Sequence, residues 1–146
     1  MKEISIVFTY NQHNKNLVKS WADQAIKIGF TEIITVNEGN AKSLIITGTI
    51  NIEVKNHTPF NEPLVMAIGA HYAQGEIVII CREGEQLAKV FTPRRLCSVR
   101  TGLITSGICA YSRKDFPWEY EIETGFVRGE SGRFINLYWQ VNHVPA

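Results

Sequence analysis

The stretch that decides the fold covers residues 4–36 and reads ISIVFTYNQHNKNLVKSWADQAIKIGFTEIITV. Residues 4–9 are a short apolar run without a breaker, which predicts a strand buried on both faces. Turn and cap residues follow at 11–14, and Gly29 ends the helix that comes after them. A second apolar strand is predicted at 33–36. The helix has one apolar stripe, formed by Leu17, Val18, Trp21, Ala22, Ala25 and Ile26. A strand–helix–strand unit this short should be parallel and right-handed.

The middle of the chain continues the alternation of strands and helices. Residues 44–47 and 50–54 are predicted as short strands. Asn61 is the expected cap of a second helix, with Pro63 inside its first turn. The most apolar strand of the chain follows at 77–81. The inward face of the second helix is predicted to carry Leu64, Val65, Ile68, Tyr72 and Ala73.

The second half is less regular. Residues 92–95 and 100–102 have loop composition, and 107–111 are predicted as a strand. Residues 114–132 are acidic and fit no single element. A closing strand is expected at 134–141.

Composition limits the class of protein. A chain of 146 residues fits one domain, taken as 1–146. The formal net charge of +1 gives no global indication of a nucleic-acid partner, and no apolar run is long enough to span a membrane. The three cysteines form no Cys-x-x-Cys pair, so free thiols in a reducing cytoplasm are expected.

These elements predict an α/β fold: a three-layer, mostly parallel twisted sheet with helices on both faces. Ligands bind such sheets outside the carboxyl ends of the strands. Polar residues follow three predicted strands there, in the segments 10–11, 37–39 and 82–85. Loops are generally polar because they are exposed to solvent, and this is the alternative explanation for each segment taken alone.

Several short motifs follow one another along the chain. The first strand ends in FTYN (8–11) and the second in VNEGN (36–40). Asn61 and AQGE (73–76) precede the strand IVII (77–80), and SGICAYSRKDF occupies 106–116. Near the C-terminus, GRF (132–134) leads to His143. In this order the motifs resemble those of nucleotide-sugar glycosyltransferases with the GT-A fold, especially the inverting enzymes of family 2, in a minimal, Rossmann-like form.

The resemblance implies a nucleotide-sugar site at the strand ends. Tyr10, Asn11 and Glu38 occupy the positions of the nucleoside side. The family's Asp-x-Asp motif, which binds Mn²⁺ or Mg²⁺, aligns with Arg82-Glu83-Gly84, so a cation replaces the first aspartate. Glu83 and Glu85 offer a shifted carboxylate pair for the metal. Arg82 can alternatively pair with a phosphate, and a solvated charged turn is the remaining explanation.

Two further residues come from the resemblance. An inverting transferase needs a general base near the acceptor hydroxyl, and Glu121 is the candidate in the acidic stretch that follows Trp118. His143 is a candidate phosphate or metal contact. An exposed acidic surface and an exposed terminal histidine are the alternatives.

The expected function is transfer of a sugar from a nucleotide sugar to an unknown acceptor. The alternative is a non-catalytic descendant of that fold used for binding or assembly. No Gly-x-Gly-x-x-Gly, P-loop or Gly-x-Ser-x-Gly motif occurs, which disfavours dinucleotide-binding, P-loop and serine-hydrolase proteins.

Overall fold

The computed structural model describes residues 3–37, 41–53, 62–115, 118–120 and 127–129. The strands predicted at 4–9, 33–36 and 77–81 and the two predicted helices are confirmed. The elements are β1 (Ile4–Tyr10), α1 (Lys15–Ile28), β2 (Glu32–Asn37), β3 (Ile50–Glu53), α2 (Glu62–Tyr72), β4 (Ile77–Cys81), α3 (Leu87–Val90), α4 (Pro93–Leu96), β5 (Gly102–Thr105), β6 (Ile108–Ser112), a 3-10 turn (Arg113–Asp115), β7 (Trp118–Tyr120) and β8 (Val127–Gly129).

Among the described residues, six strands form one sheet in the order β3-β2-β1-β4-β6-β5, and β7 pairs with β8 in a separate ribbon. β1 is parallel to both β2 and β4, and β2 is parallel to β3. β6 is antiparallel to β4 and to β5, so the sheet is mixed. The chain is therefore an α/β protein, and the carboxyl ends of its four parallel strands lie along one edge of the sheet.

The sheet has a buried core on each face. The side chains of β1 alternate between the two cores, with Phe8 in one and Val7 in the other. The first core also contains buried residues of α1, α3 and α4, whereas α2 packs into the second. Helices therefore cover both faces, as predicted. Because β1 is enclosed in this way, all of its side chains except Thr9 are buried.

Helix α1 ends as its sequence predicts. Gly29 adopts a left-handed backbone with φ of 100°, and its N–H donates to the carbonyl of Ala25 at 3.1 Å. The predicted stripe is wrong at two positions, since Leu17 and Ile26 are 52% and 40% exposed. The buried residues of α1 are Val18, Trp21, Ala22, Ala25 and Ile28.

The predicted inward face of α2 is also partly wrong. Val65, Ile68 and Ala73 are buried, but Tyr72 is 48% exposed and stacks edge-on against His71. The side chain of Leu64 and the predicted cap Asn61 lie outside the described residues.

Other differences lie in the connections. The strand predicted at 44–47 does not form: Leu44 is buried in the core, Ile46 is partly buried against it, and Ile45 is 93% exposed. Thr92 caps α4 by accepting the N–H of Arg95, so the 92–95 stretch begins a helical turn and is not a loop. Gly102, which was predicted to be in a loop, begins a strand, Gly102–Thr105, that pairs with β6. The closing strand predicted at 134–141 lies outside the described residues.

No helix in the described part of the chain is long and apolar enough to cross a membrane. Cys81, Cys97 and Cys109 are all free thiols, as predicted, and only Cys97 is exposed.

Cys109 predicts a pH dependence of stability. Burial raises the pKa of its thiol from 9.0 to about 11, although hydrogen bonds with Tyr111 and Ala110 lower it. Between pH 9 and 11 this thiol stays protonated in the folded protein but ionises in the unfolded chain. The contribution of the thiol to the free energy of unfolding is therefore fully present below pH 9 and is lost as the pH rises toward 11. The free energy of unfolding in urea should fall more steeply over that range in wild type than in Cys109→Ala. Equal slopes would contradict the assignment.

Candidate functional site

The strand order reverses between β1 and β4. From β1 the chain continues outward through β2 to β3, and then crosses back to place β4 on the other side of β1. In open α/β sheets, ligands bind outside the carboxyl ends of the strands at such a reversal point. The segments that leave this point are Asn11–Asn14 after β1 and Arg82–Gln86 after β4.

Two asparagines shape the turn after β1. The side-chain oxygen of Asn11 accepts the N–H groups of His13 at 2.8 Å and of Asn14 at 3.1 Å. In return, the side-chain oxygen of Asn14 accepts the N–H of Asn11 at 2.8 Å. Asn14 is the N-cap position of α1, but its side chain makes no bond to the helix. The polar run at 11–14 thus holds the turn itself, and α1 starts immediately behind it.

Tyr10 ends β1 inside a polar network. Its ring is fully buried, and its hydroxyl accepts the N–H of Leu44 at 2.9 Å and donates to the side-chain oxygen of Asn51 at 2.7 Å. Thr35 donates to the same oxygen at 2.9 Å. The amide of Asn51 donates to Glu53, so the network runs from β1 across to β3.

This network fixes the segment 41–46, which we call the strap, over the carboxyl ends of β1 and β2. Leu44 is its buried anchor. Asn37 adds a second attachment, since its amide donates to the carbonyl of Ala41 at 2.7 Å. Burial raises the pKa of the Tyr10 hydroxyl, and the charge of Glu53 adds to that effect. The hydroxyl is therefore neutral at physiological pH and serves as a structural hydrogen-bonding group.

The loop after β4 is held from two sides. A Cβ on Gly84 would lie 2.5 Å from Cγ and Cδ2 of Trp21, so the bare backbone rests on the indole of α1. On the other side, the carbonyl of Gly107 accepts the N–H groups of Arg82 at 2.7 Å and of Glu83 at 3.3 Å. A Cβ on Gly107 would lie 2.5 Å from the Cβ of Glu83. The loop path is therefore set by two close backbone approaches that require glycine.

This clamped loop presents two carboxylates. Glu83 and Glu85 are exposed while Gly84 between them is buried. Both carboxylates follow the end of β4 directly, and their charges add to the burial that raises the pKa of the Cys81 thiol. Oxygen donors of this kind suit Mg²⁺ or Mn²⁺, which proteins often bind through one or two carboxylates together with substrate phosphates. Among the described residues, no group of three or more His, Cys, Asp and Glu side chains is placed to hold a metal ion.

The predicted site residues fall into two groups. Tyr10, Asn11, Arg82, Glu83 and Glu85 all lie at the carboxyl ends of the neighbouring strands β1 and β4, or directly after them. The roles assigned to them toward a ligand stay predictions. The other three candidates, Glu38, Glu121 and His143, lie outside the described residues.

Sequence reasoning missed the residues that support this edge. Asn51 and Glu53 alternate with isoleucines in β3, which indicates a polar face, but the hydrogen bond between Asn51 and the Tyr10 hydroxyl depends on strand register. Trp21 was assigned to the core, and its contact with Gly84 bridges residues far apart in the chain. Only the tertiary structure reveals these contacts.

The opposite edge of the sheet has a crevice of about 300 Å³. Its polar groups bond to one another: the carboxylate of Glu32 accepts from the hydroxyl of Ser5 at 2.8 Å and from the N–H of Gln74 at 2.9 Å. The Ser5 oxygen also accepts the N–H of Gly75 at 2.9 Å. These bonds join β1, β2 and the segment after α2, so this crevice has a structural explanation.

Comparison with protein-family models finds no match for the chain, and comparison with curated proteins finds none either.

Removing the Tyr10 hydroxyl tests the strap attachment. Tyr10→Phe leaves the buried N–H of Leu44 without its acceptor, which should lower the free energy of unfolding by about 1–3 kcal/mol. Tyr72→Phe is the matched control, because that side chain is 48% exposed, and it should cost less than about 0.5 kcal/mol. Urea unfolding measures both, and equal small effects would contradict the assigned role of Tyr10.

Adding a methyl group at position 84 tests the clamp. Gly84→Ala should lower the free energy of unfolding by about 1–3 kcal/mol because the new Cβ overlaps the indole of Trp21. In a Trp21→Ala background the same substitution should cost clearly less, since the two atoms that the new Cβ would meet at 2.5 Å are gone. Identical costs of Gly84→Ala in the two backgrounds would show that Trp21 is not what Gly84 contacts.

Proposed function

We propose that this domain binds a nucleotide sugar at the carboxyl edge of β1 and β4 and transfers the sugar to an acceptor, as a small GT-A-like glycosyltransferase. The observation that carries the proposal is the exposed Glu83–Glu85 pair on a glycine-clamped loop at the point where the strand order reverses. The order of the sequence motifs supports the same assignment.

The diphosphate side of the proposed site is the loop after β4. Glu83 and Glu85 would hold a divalent ion, which offsets the negative charge of a sugar-nucleotide diphosphate when it is bound. Arg82 at the start of the loop contributes a guanidinium suited to phosphate oxygens. Because the backbone of this loop is clamped, its charged groups need little reorganisation when ligand binds.

The nucleoside side is the end of β1 and β2. Asn11 and Glu38 are the proposed contacts. Tyr10 was expected to contact the nucleoside, but its hydroxyl is already hydrogen-bonded to Leu44 and Asn51. We assign it a positioning role: it holds the strap beside the nucleoside side of the site. Glu121 remains the proposed general base toward the acceptor hydroxyl.

A second candidate function is binding without transfer. It is favoured by Arg82, which brings a positive charge to the position where the family carries a metal-binding aspartate. A domain of this kind would bind nucleoside diphosphate but would not turn over sugar nucleotides. Measurement of sugar-nucleotide hydrolysis and transfer, alongside binding, separates the two candidates.

Isothermal titration with uridine, guanosine, adenosine and cytidine diphosphates tests the binding site. At least one of them should bind, more tightly with Mn²⁺ than with EDTA. Glu83→Gln and Glu85→Gln should each weaken Mn²⁺-dependent binding by about tenfold or more, equivalent to about 1.4 kcal/mol.

Glu76→Gln is the matched control, because Glu76 is an exposed glutamate just before β4, at the opposite edge of the sheet. It should leave the affinity unchanged. Absence of binding by all four nucleotides would contradict the proposed site, as would an equal loss of affinity in the control.

A further inference from the structure

The near-neutral net charge conceals a strongly basic segment. Residues 86–114 contain no aspartate or glutamate. The same segment contains six cationic residues, namely Lys89, Arg94, Arg95, Arg100, Arg113 and Lys114. Because a local excess of one sign creates a local field even in a neutral protein, this segment is a candidate interaction surface independent of the nucleotide site.

Four of these cations are exposed around a pair of short helices whose apolar side chains are buried. The apolar residues of α3, α4 and the following turn (Leu87, Phe91, Leu96 and Val99) are buried in the core on one face of the sheet. Lys89, Arg94, Arg95 and Arg100 are exposed, and we call these four residues the basic surface. The guanidinium of Arg95 donates to the carbonyl of Lys89 at 3.3 Å, which joins the two short helices.

Strand pairing extends the positive charge to the sheet edge. Gly102 of β5 lies opposite Ala110 of β6, so the residues before β5 run beside the residues after β6. This register places Arg100 at the same edge as Arg113, which is also exposed. Glu76 limits the positive region on its other side, where its carbonyl accepts the N–H of Arg113 at 2.9 Å.

The basic surface is better suited to a membrane that carries anionic lipids than to sequence-specific recognition of a nucleic acid. The aromatic residues of segment 86–114, Phe91 and Tyr111, are both buried and offer no ring for base stacking. Helices α3 and α4 have four residues each, too short to read a DNA groove. What remains is a cluster of exposed cations, followed three residues after Arg100 by Leu103, whose side chain is 49% exposed. Such a cluster fits reversible electrostatic docking on anionic lipid headgroups.

We propose that the basic surface docks this domain on anionic membrane surfaces. The attachment is electrostatic and is screened by salt. It does not depend on the proposed nucleotide-sugar function.

Vesicle sedimentation tests the proposal with the full chain. The protein should bind vesicles of phosphatidylcholine containing about one third phosphatidylserine at low salt, and should be released at high salt and from pure phosphatidylcholine. Each basic residue near an anionic surface contributes about fivefold to partitioning, so Arg94→Gln/Arg95→Gln should weaken binding by about thirtyfold. Lys89→Gln/Arg100→Gln should do the same and provides an independent second pair.

Lys19→Gln/Lys42→Gln is the charge-matched control, because both lysines are exposed and lie outside the basic surface. It should bind vesicles within about twofold of wild type. The proposal is overturned if wild type does not bind phosphatidylserine vesicles at low salt, or if the control loses as much binding as both arginine-containing pairs. Binding to duplex DNA that exceeds vesicle binding at equal phosphate and salt would also overturn it.

Discussion

The enclosure of β1 between β2 and β4 is the constraint on which the rest of the structure depends. Both neighbours pair with β1 in parallel, and both faces of β1 are covered by core side chains. The chain must therefore leave β1 at one edge, build β2 and β3 on one side, and cross over to place β4 on the other. That crossover brings Asn11 and Arg82 to the same edge of the sheet although they are far apart in the chain.

Long-range contacts then give this edge its shape. On one side, the Tyr10 hydroxyl anchors the strap through the N–H of Leu44. On the other side, Gly84 lies against Trp21, and the carbonyl of Gly107 accepts backbone N–H groups of the loop after β4. The charged side chains thus project from a backbone that is held on both sides. Such a backbone does not have to become ordered when a ligand binds, which reduces the entropy cost of binding.

The sequence predicts the parallel core well because its signals are local. The unbroken apolar runs of β1 and β4 and the Gly29 cap each depend on a few adjacent residues. The run at 44–47 is also apolar but forms no strand; there the N–H of Leu44 donates to the Tyr10 hydroxyl, and Ile45 is exposed. Likewise, the positions of Glu83 and Glu85 at the strand end were predictable, whereas the Trp21 and Gly107 contacts that clamp their loop join distant segments. Net charge alone does not indicate the basic surface, because an overall charge of +1 averages over segments of opposite sign.

The central claim is that ligand and metal bind at the carboxyl edge of β1 and β4. Paramagnetic broadening in an amide NMR spectrum tests it most directly, with Mn²⁺ added in the presence of the nucleoside diphosphate that binds. Signals of residues 81–87 and 10–14 should broaden first, while those of Ser5, Glu32 and Gly75 at the opposite edge stay sharp. Broadening centred on the Glu32 crevice, or spread evenly over the acidic residues of the protein, would contradict the account.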